Sequence, residues 1–187
     1  MAVYLACHAL LRGYKAIIYT YDLQVFDPTW FTRKGSDISE KLKLQLQYKK
    51  GARNLEVITH AYLKFLELGG QVRFEVLSAS LIRKFLNRLI PVLTGLSATF
   101  LYNSAREVTE GDRLSYDDIR GEPMGHFVVL AGYERAQRNV FLADPLMPNP
   151  VSASQLYKID IQRLVCAILL GTLTYDGDLL IIEPGKK

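Results

Sequence analysis

The run from His126 to Tyr133 is almost wholly apolar, and a polar turn separates it from a second such run, Val140 to Ala143. Two runs of this kind with a short polar connection predict an antiparallel hairpin, here with its turn centred near Arg135. This is the strongest local constraint in the chain, because a hairpin decides which side chains at its open end can meet. His126 opens the first run directly after Gly125, and Asp144 closes the second before Pro145. An acid so placed can hold an imidazole in one tautomer while the other ring nitrogen serves a nucleophile or a bound water. Plainer roles fit the same residues: His126 as a strand-edge residue, Asp144 as the first residue of an Asx turn.

Elsewhere the pattern mixes helix and strand. Residues 2–12 read as a helix that Gly13 ends, and Tyr14 to Thr20 as a strand. In the loop that follows, Phe26, Trp30 and Phe31 suit core packing. Asp37 and Glu40 have capping-box spacing, ahead of a lysine-rich helix running to about Lys50. Asn54 is placed to cap a helix whose buried side is Leu55, Ile58, Tyr62, Phe65 and Leu66. Gln71 to Leu77 alternates like a strand, Ser78 or Ser80 opens a further helix, and Ile90 to Leu93 is a short strand. Residues 103–123 form a long polar connection, and such a segment in a compact domain is commonly a lid, a binding loop or disordered. A buried helix is predicted near Leu156 to Leu170, and a last strand at Leu179 to Ile182. The expected fold class is α+β, a small antiparallel sheet flanked by helices. With 187 residues, no internal repeat and no linker, residues 1–187 read as a single domain that buries roughly 70% of its extended surface.

Composition narrows the function classes. With 49% hydrophobic and 22% charged residues, the chain lies far from the disordered regime. No run approaches the ~20 apolar residues that span a bilayer, and Arg12 and Lys15 interrupt any signal-like start, so no membrane association and a cytoplasmic location are expected. Cys7 and Cys166 both sit in apolar surroundings and read as buried thiols. His8, His60 and His126 are far apart with no paired spacing, so neither a metal nor a cofactor is expected.

The net charge of +4 comes largely from residues 31–53, where Arg33, Lys34, Lys41, Lys43, Lys49, Lys50 and Arg53 face only Asp37 and Glu40. A solvated helix face explains that run. No nucleic acid is expected, because the run lacks interleaved aromatics or a reading motif. Residues 103–123 carry the opposite sign through Glu107, Glu110, Asp112, Asp117, Asp118 and Glu122. Opposed patches of this kind leave self-association or partner choice open.

The segments Gly125-His126-Phe127-Val128-Val129-Leu130-Ala131-Gly132-Tyr133 and Val140-Phe141-Leu142-Ala143-Asp144-Pro145 resemble the histidine and aspartate motifs of C39-like cysteine peptidases. Similar motifs occur in a related domain group once named for guanylyl cyclase, and both groups have a papain-like architecture. The resemblance implies a papain-like fold whose ancestral reaction is peptide-bond hydrolysis by a Cys-His-Asp system. His126 would be the base, Asp144 its orienter, and Gly125 would leave room for a peptide near the ring. Cyclase activity is not expected, since no phosphate-cradling glycine loop or paired metal-binding acids occur.

The departure from the family concerns the nucleophile. The resemblance implies a cysteine heading the first central helix, in a Cys-Gly-Pro or Cys-Gly-Ala motif, where the helix terminus lowers the thiol pKa. No such motif occurs here. Cys7 is followed by His8 and is a weak candidate only; in the family layout it fits a core thiol of the second helix. Three accounts stay open: a chain start that omits the first helix, a separate chain that supplies it, or a non-catalytic descendant that binds a peptide or protein. His126 and Asp144 alone give essentially no acyl transfer, because covalent catalysis needs its attacking group.

Overall fold

The computed structural model describes residues 1–32, 36–49, 51–111, 113–174 and 177–185. It is α+β, with helices flanking both parallel and antiparallel strands. The chain divides into two compact units, residues 1–75 with 180–187, and residues 76–179. Among the described residues no helix is long and apolar enough to cross a membrane.

In the first unit α1 (Ala2–Leu11) ends where Gly13 takes a positive φ of 81°, which glycine adopts at little cost. The chain then enters β1 (Lys15–Tyr19). Asp37 caps α2 (Ile38–Tyr48) by accepting the Ser39 and Glu40 N–H groups, satisfying donors that the first turn leaves free. α3 (Arg53–Glu67) buries Ile58, Ala61, Tyr62 and Phe65 on one face. Asn54 does not cap it; the helix begins one residue earlier, after Ala52, with no side-chain cap. Phe26 is buried edge-on against Tyr62 at 4.7 Å and is core, whereas Trp30 and Phe31, expected there too, pack beside it only half-buried. Only Gln71–Arg73 of the predicted 71–77 strand forms (β2), pairing parallel with β1 rather than antiparallel.

The second unit begins with α4 (Ala79–Leu86), which Ser78 caps through the Leu81 N–H. β3 (Val92–Ser97) is longer and later than the expected 90–93, since Pro91 lacks the N–H a ladder needs. Ser97 then caps the short α5 (Ala98–Tyr102). Residues 103–123 are not one irregular loop: Glu107–Glu110 (β4) and Arg113–Tyr116 (β5) form a hairpin of their own. β6 (Gly125–Glu134) and β7 (Asn139–Ala143) form the predicted hairpin. The expected helix from Leu156 is corrected, because Leu156–Asp160 is a strand, β8, and α6 spans Ile161–Gly171. Leu-Tyr-Lys-Ile alternates with the period of a strand, and Asp160 starts the helix by accepting the Gln162 and Arg163 N–H groups. β9 (Leu179–Glu183) closes the chain, and residues 180–183 of it belong to the first unit beside β1.

Strands of the second unit lie in the order β3-β6-β7-β8, each pair antiparallel. Val92, Leu130, Leu142 and Tyr157 face one another across the four strands and are buried, with α6 packed on the same side through Ile161, Leu164, Ala167 and Ile168. Gly171 is needed at that contact, since a Cβ there would lie 2.7 Å from the Leu96 Cα. The β6–β7 ladder contains a bulge: Leu130 pairs with Leu142, but the next pair is Gly132 with Phe141, leaving Ala131 as an extra residue.

Candidate functional site

Directly opposed residues share a sheet face. His126 stands opposite Leu96 in the β3–β6 ladder, so it lies on the face occupied by Val128 and Leu130, whose side chains are buried. Asp144 lies two residues beyond Leu142, which returns it to that same face. His126 Nε2 and Asp144 Oδ1 are 2.8 Å apart, so the open end of the hairpin brings these two side chains together.

Asp144 is only 2% exposed, and a buried carboxylate needs donors for both oxygens. Oδ1 faces His126 and accepts the Leu146 N–H at 2.9 Å, the Asx-turn bond. Oδ2 accepts the hydroxyls of Tyr102 at 2.8 Å and Tyr157 at 2.7 Å. Burial pushes the carboxyl pKa up, but the bonds from His126, Tyr157, Leu146 and Tyr102 outweigh it, and the group lies below its ordinary value. The phenols move the other way, since burial and the carboxylate they face raise both far above the usual tyrosine value. An ionised carboxylate only accepts. Nε2 therefore carries the proton, and in the neutral ring Nδ1 is left as an acceptor. Among the described residues Nδ1 has no hydrogen-bond partner, and the His126 side chain is 22% exposed.

The tyrosines are set by distant parts of the unit. Tyr157 comes from β8, directly opposite Leu142. Tyr102 ends α5, where Asn103 takes a left-handed conformation, and its ring lies 6.0 Å from the imidazole. Arg163 of α6 holds that end, its guanidinium donating to the carbonyls of Phe100 at 2.6 Å and Leu101 at 3.2 Å. Sequence reasoning missed both tyrosines. Tyr157 was legible in the alternation of β8; Tyr102 had no local signal, because its partner is 42 residues away.

Bonds to a charged acceptor are worth about 1.5–3 kcal/mol each. Tyr157→Phe and Tyr102→Phe should therefore each lower the unfolding free energy by about 1.5–2 kcal/mol, read from urea midpoints at neutral pH. A loss below about 0.5 kcal/mol in both would show that the carboxylate does not depend on its phenols.

The cysteines differ from their expected burial. Cys7 is partly exposed in the middle of α1, in the first unit, and burial pushes its thiol pKa up against a lowering influence of Lys64. That is the reverse of an activated nucleophile. Cys166 is exposed, because it lies on the side of α6 away from Leu164, Ala167 and Ile168. Neither stands at a helix N-terminus. His8 bonds Arg12 at 2.9 Å, and His60 is exposed on α3. Among the described residues no group of three His, Cys, Asp or Glu side chains is placed to hold a metal ion.

Of the proposed charged patches, Arg33, Lys34, Lys50 and Asp112 lie outside the described residues. Part of the acidic segment is neutralised locally. Asp117 accepts the Arg120 and Ile119 N–H groups and pairs with the Arg120 guanidinium at 2.7 Å, which brings its pKa down to about 2.

No protein-family model matches the sequence, and no curated protein matches it. Among solved structures, the chain is similar to one described as a "putative C39-like peptidase from Bacillus anthracis", with 20% identity and a TM-score of 0.33. The match covers 58% of this chain and 49% of that one, about half the length of the solved protein.

Proposed function

We propose that this chain is a non-catalytic relative of the C39-like cysteine peptidases, a papain-like domain that uses an oriented imidazole to bind a peptide or protein. The observation that carries the reading is the bond from His126 Nε2 to an Asp144 carboxylate that is itself saturated with donors. It lies within the two segments that resemble the family's histidine and aspartate motifs. An acid fixed in this way orients the ring and leaves Nδ1 as an acceptor, suited to an amide N–H of a bound peptide. Support for the non-catalytic half comes from the thiols. Cys7 is mid-helix with its pKa raised, and Cys166 is exposed partway along α6, so neither has the environment that makes a thiolate.

The test is exposure of the intact protein to a peptidyl electrophile, followed by intact-mass spectrometry. Labelling is expected to be no faster than that of an ordinary free thiol, and unchanged by His126→Ala. Stoichiometric labelling that Cys7→Ala abolishes and His126→Ala slows at least tenfold would make the chain an enzyme and overturn the binding reading.

A further inference from the structure

We infer that the outer edge of β8, with the apolar groove beside it, receives an extended peptide segment as an added antiparallel strand. The partner would carry an acidic residue two positions before an apolar one. The peptide nature of the occupant rests on the proposed binding role; the surface itself is on the sheet face opposite His126 and Asp144.

β8 is the last strand in the order β3-β6-β7-β8, and among the described residues no strand pairs with its far side. Which backbone groups point outward follows from the bonds that bracket the ladder. The Asp144 N–H donates to the Gln155 carbonyl at 2.8 Å, and the Ile161 N–H to the Arg138 carbonyl at 3.1 Å. Antiparallel strands alternate bonded and non-bonded pairs, so Tyr157 and Ile159 also turn toward β7. Leu156, Lys158 and Asp160 then turn their backbone groups away. The Leu156 N–H is already taken by the Ser154 hydroxyl at 3.2 Å, and the Asp160 carbonyl starts α6. What remains is the Leu156 carbonyl, both groups of Lys158 and the Asp160 N–H, the spacing that one extended strand satisfies.

The side chains at this edge define the partner further. Leu93, Val129, Ala143 and Leu156 stand directly opposite one another across all four strands, on the face away from α6. With Phe127 and Pro145 they line an open cavity of about 390 Å3. Leu156 ends the row at the edge and is 55% exposed. An added strand would continue this row with an apolar residue opposite Leu156.

Lys158 shares that face two residues on, its ammonium 2.8 Å from Glu134 and its side chain 45% exposed. A second copy of β8 paired antiparallel about this position would set lysine against lysine, which destabilises a strand pair. An acid opposite Lys158 reverses the sign. Antiparallel addition places that acid two residues before the apolar one.

The experiment is a fluorescence-anisotropy titration of the full chain with fluorescein-labelled Thr-Glu-Val-Leu-Thr-Val. Saturable binding is expected, weakened about tenfold by N-methylation of the Glu nitrogen, whose N–H would meet the Lys158 carbonyl. N-methylation of the following Val nitrogen, which points away, should change it little. Lys158→Glu should weaken the Glu peptide and strengthen a Thr-Lys-Val-Leu-Thr-Val variant, a swap that a folding defect cannot mimic. Equal loss at both N-methyl positions, absence of the charge swap, or absence of binding overturns the proposal. Binding that His126→Ala removes and Lys158→Glu leaves intact would refute this edge while keeping the peptide-binding role.

Discussion

Asp144→Ala is expected to lower the unfolding free energy by about 4 kcal/mol at neutral pH. Removing one member of a buried charged network costs about 3–5 kcal/mol, because the partners that remain have lost water as well as their acceptor. Here the Tyr102 and Tyr157 hydroxyls, the Leu146 N–H and the His126 ring all point at the deleted carboxylate. The same residue gives a pH signature. Its folded pKa is below its ordinary value, so its contribution is fully present above the unfolded pKa near 3.9 and disappears as pH falls through the lower folded value. Urea midpoints of wild type and Asp144→Ala should differ most at about pH 6–7 and draw closer as pH falls through that lower folded value. A difference that does not shrink as the solution is acidified through the carboxylate range would place the loss in packing and neutral hydrogen bonds instead of charge.

Leu142→Ala is expected to cost about 3–4 kcal/mol, in the middle of the range for a buried leucine. Leu142 is fully buried between Leu130 and Tyr157, at the centre of the row beneath α6. The strands on either side are held by their ladders, so the void cannot close by collapse. Tyr157 loses its packing neighbour while keeping its bond to Asp144, and the effect should therefore exceed that of Tyr157→Phe. Urea unfolding followed by far-ultraviolet circular dichroism reads the loss. A value under about 1.5 kcal/mol would mean that the sheet repacks freely around the site.

What the sequence revealed follows the range of the interactions involved. The β6–β7 hairpin was legible because strand alternation and turn are local, and with it came His126 beside Asp144. Caps at Asp37 and Ser78 were legible for the same reason, since each bonds a donor two or three residues away. Asn54 misled, because a good capping residue lies inside α3, where tertiary burial of Ile58, Tyr62 and Phe65 sets the helix. β8 was absorbed into the helix after it, since Leu156, Tyr157 and Ile159 are as apolar as the start of α6 and only Asp160 marks the boundary. The parallel partnership of β1 with β2 crosses more than fifty residues, and nothing local announces it. The Tyr102 donor to Asp144 was hidden for that reason too, arriving from α5 across 42 residues.

The extra residue at Ala131 sets the parity of the hairpin. Counted from the turn, the pairs run Glu134 with Asn139, Tyr133 with Val140, and Gly132 with Phe141. Continued without interruption, that sequence would put Asp144 opposite Val129, with its carboxylate on the face that looks away from His126. One unpaired residue shifts the remaining pairs by a single step, and a single step in a strand turns every following side chain over. The turn and the open end of this hairpin are thus out of step by one, and the meeting of acid and imidazole is decided at the mismatch. A hairpin of the same composition with one residue fewer would keep its apolar look and lose the pair.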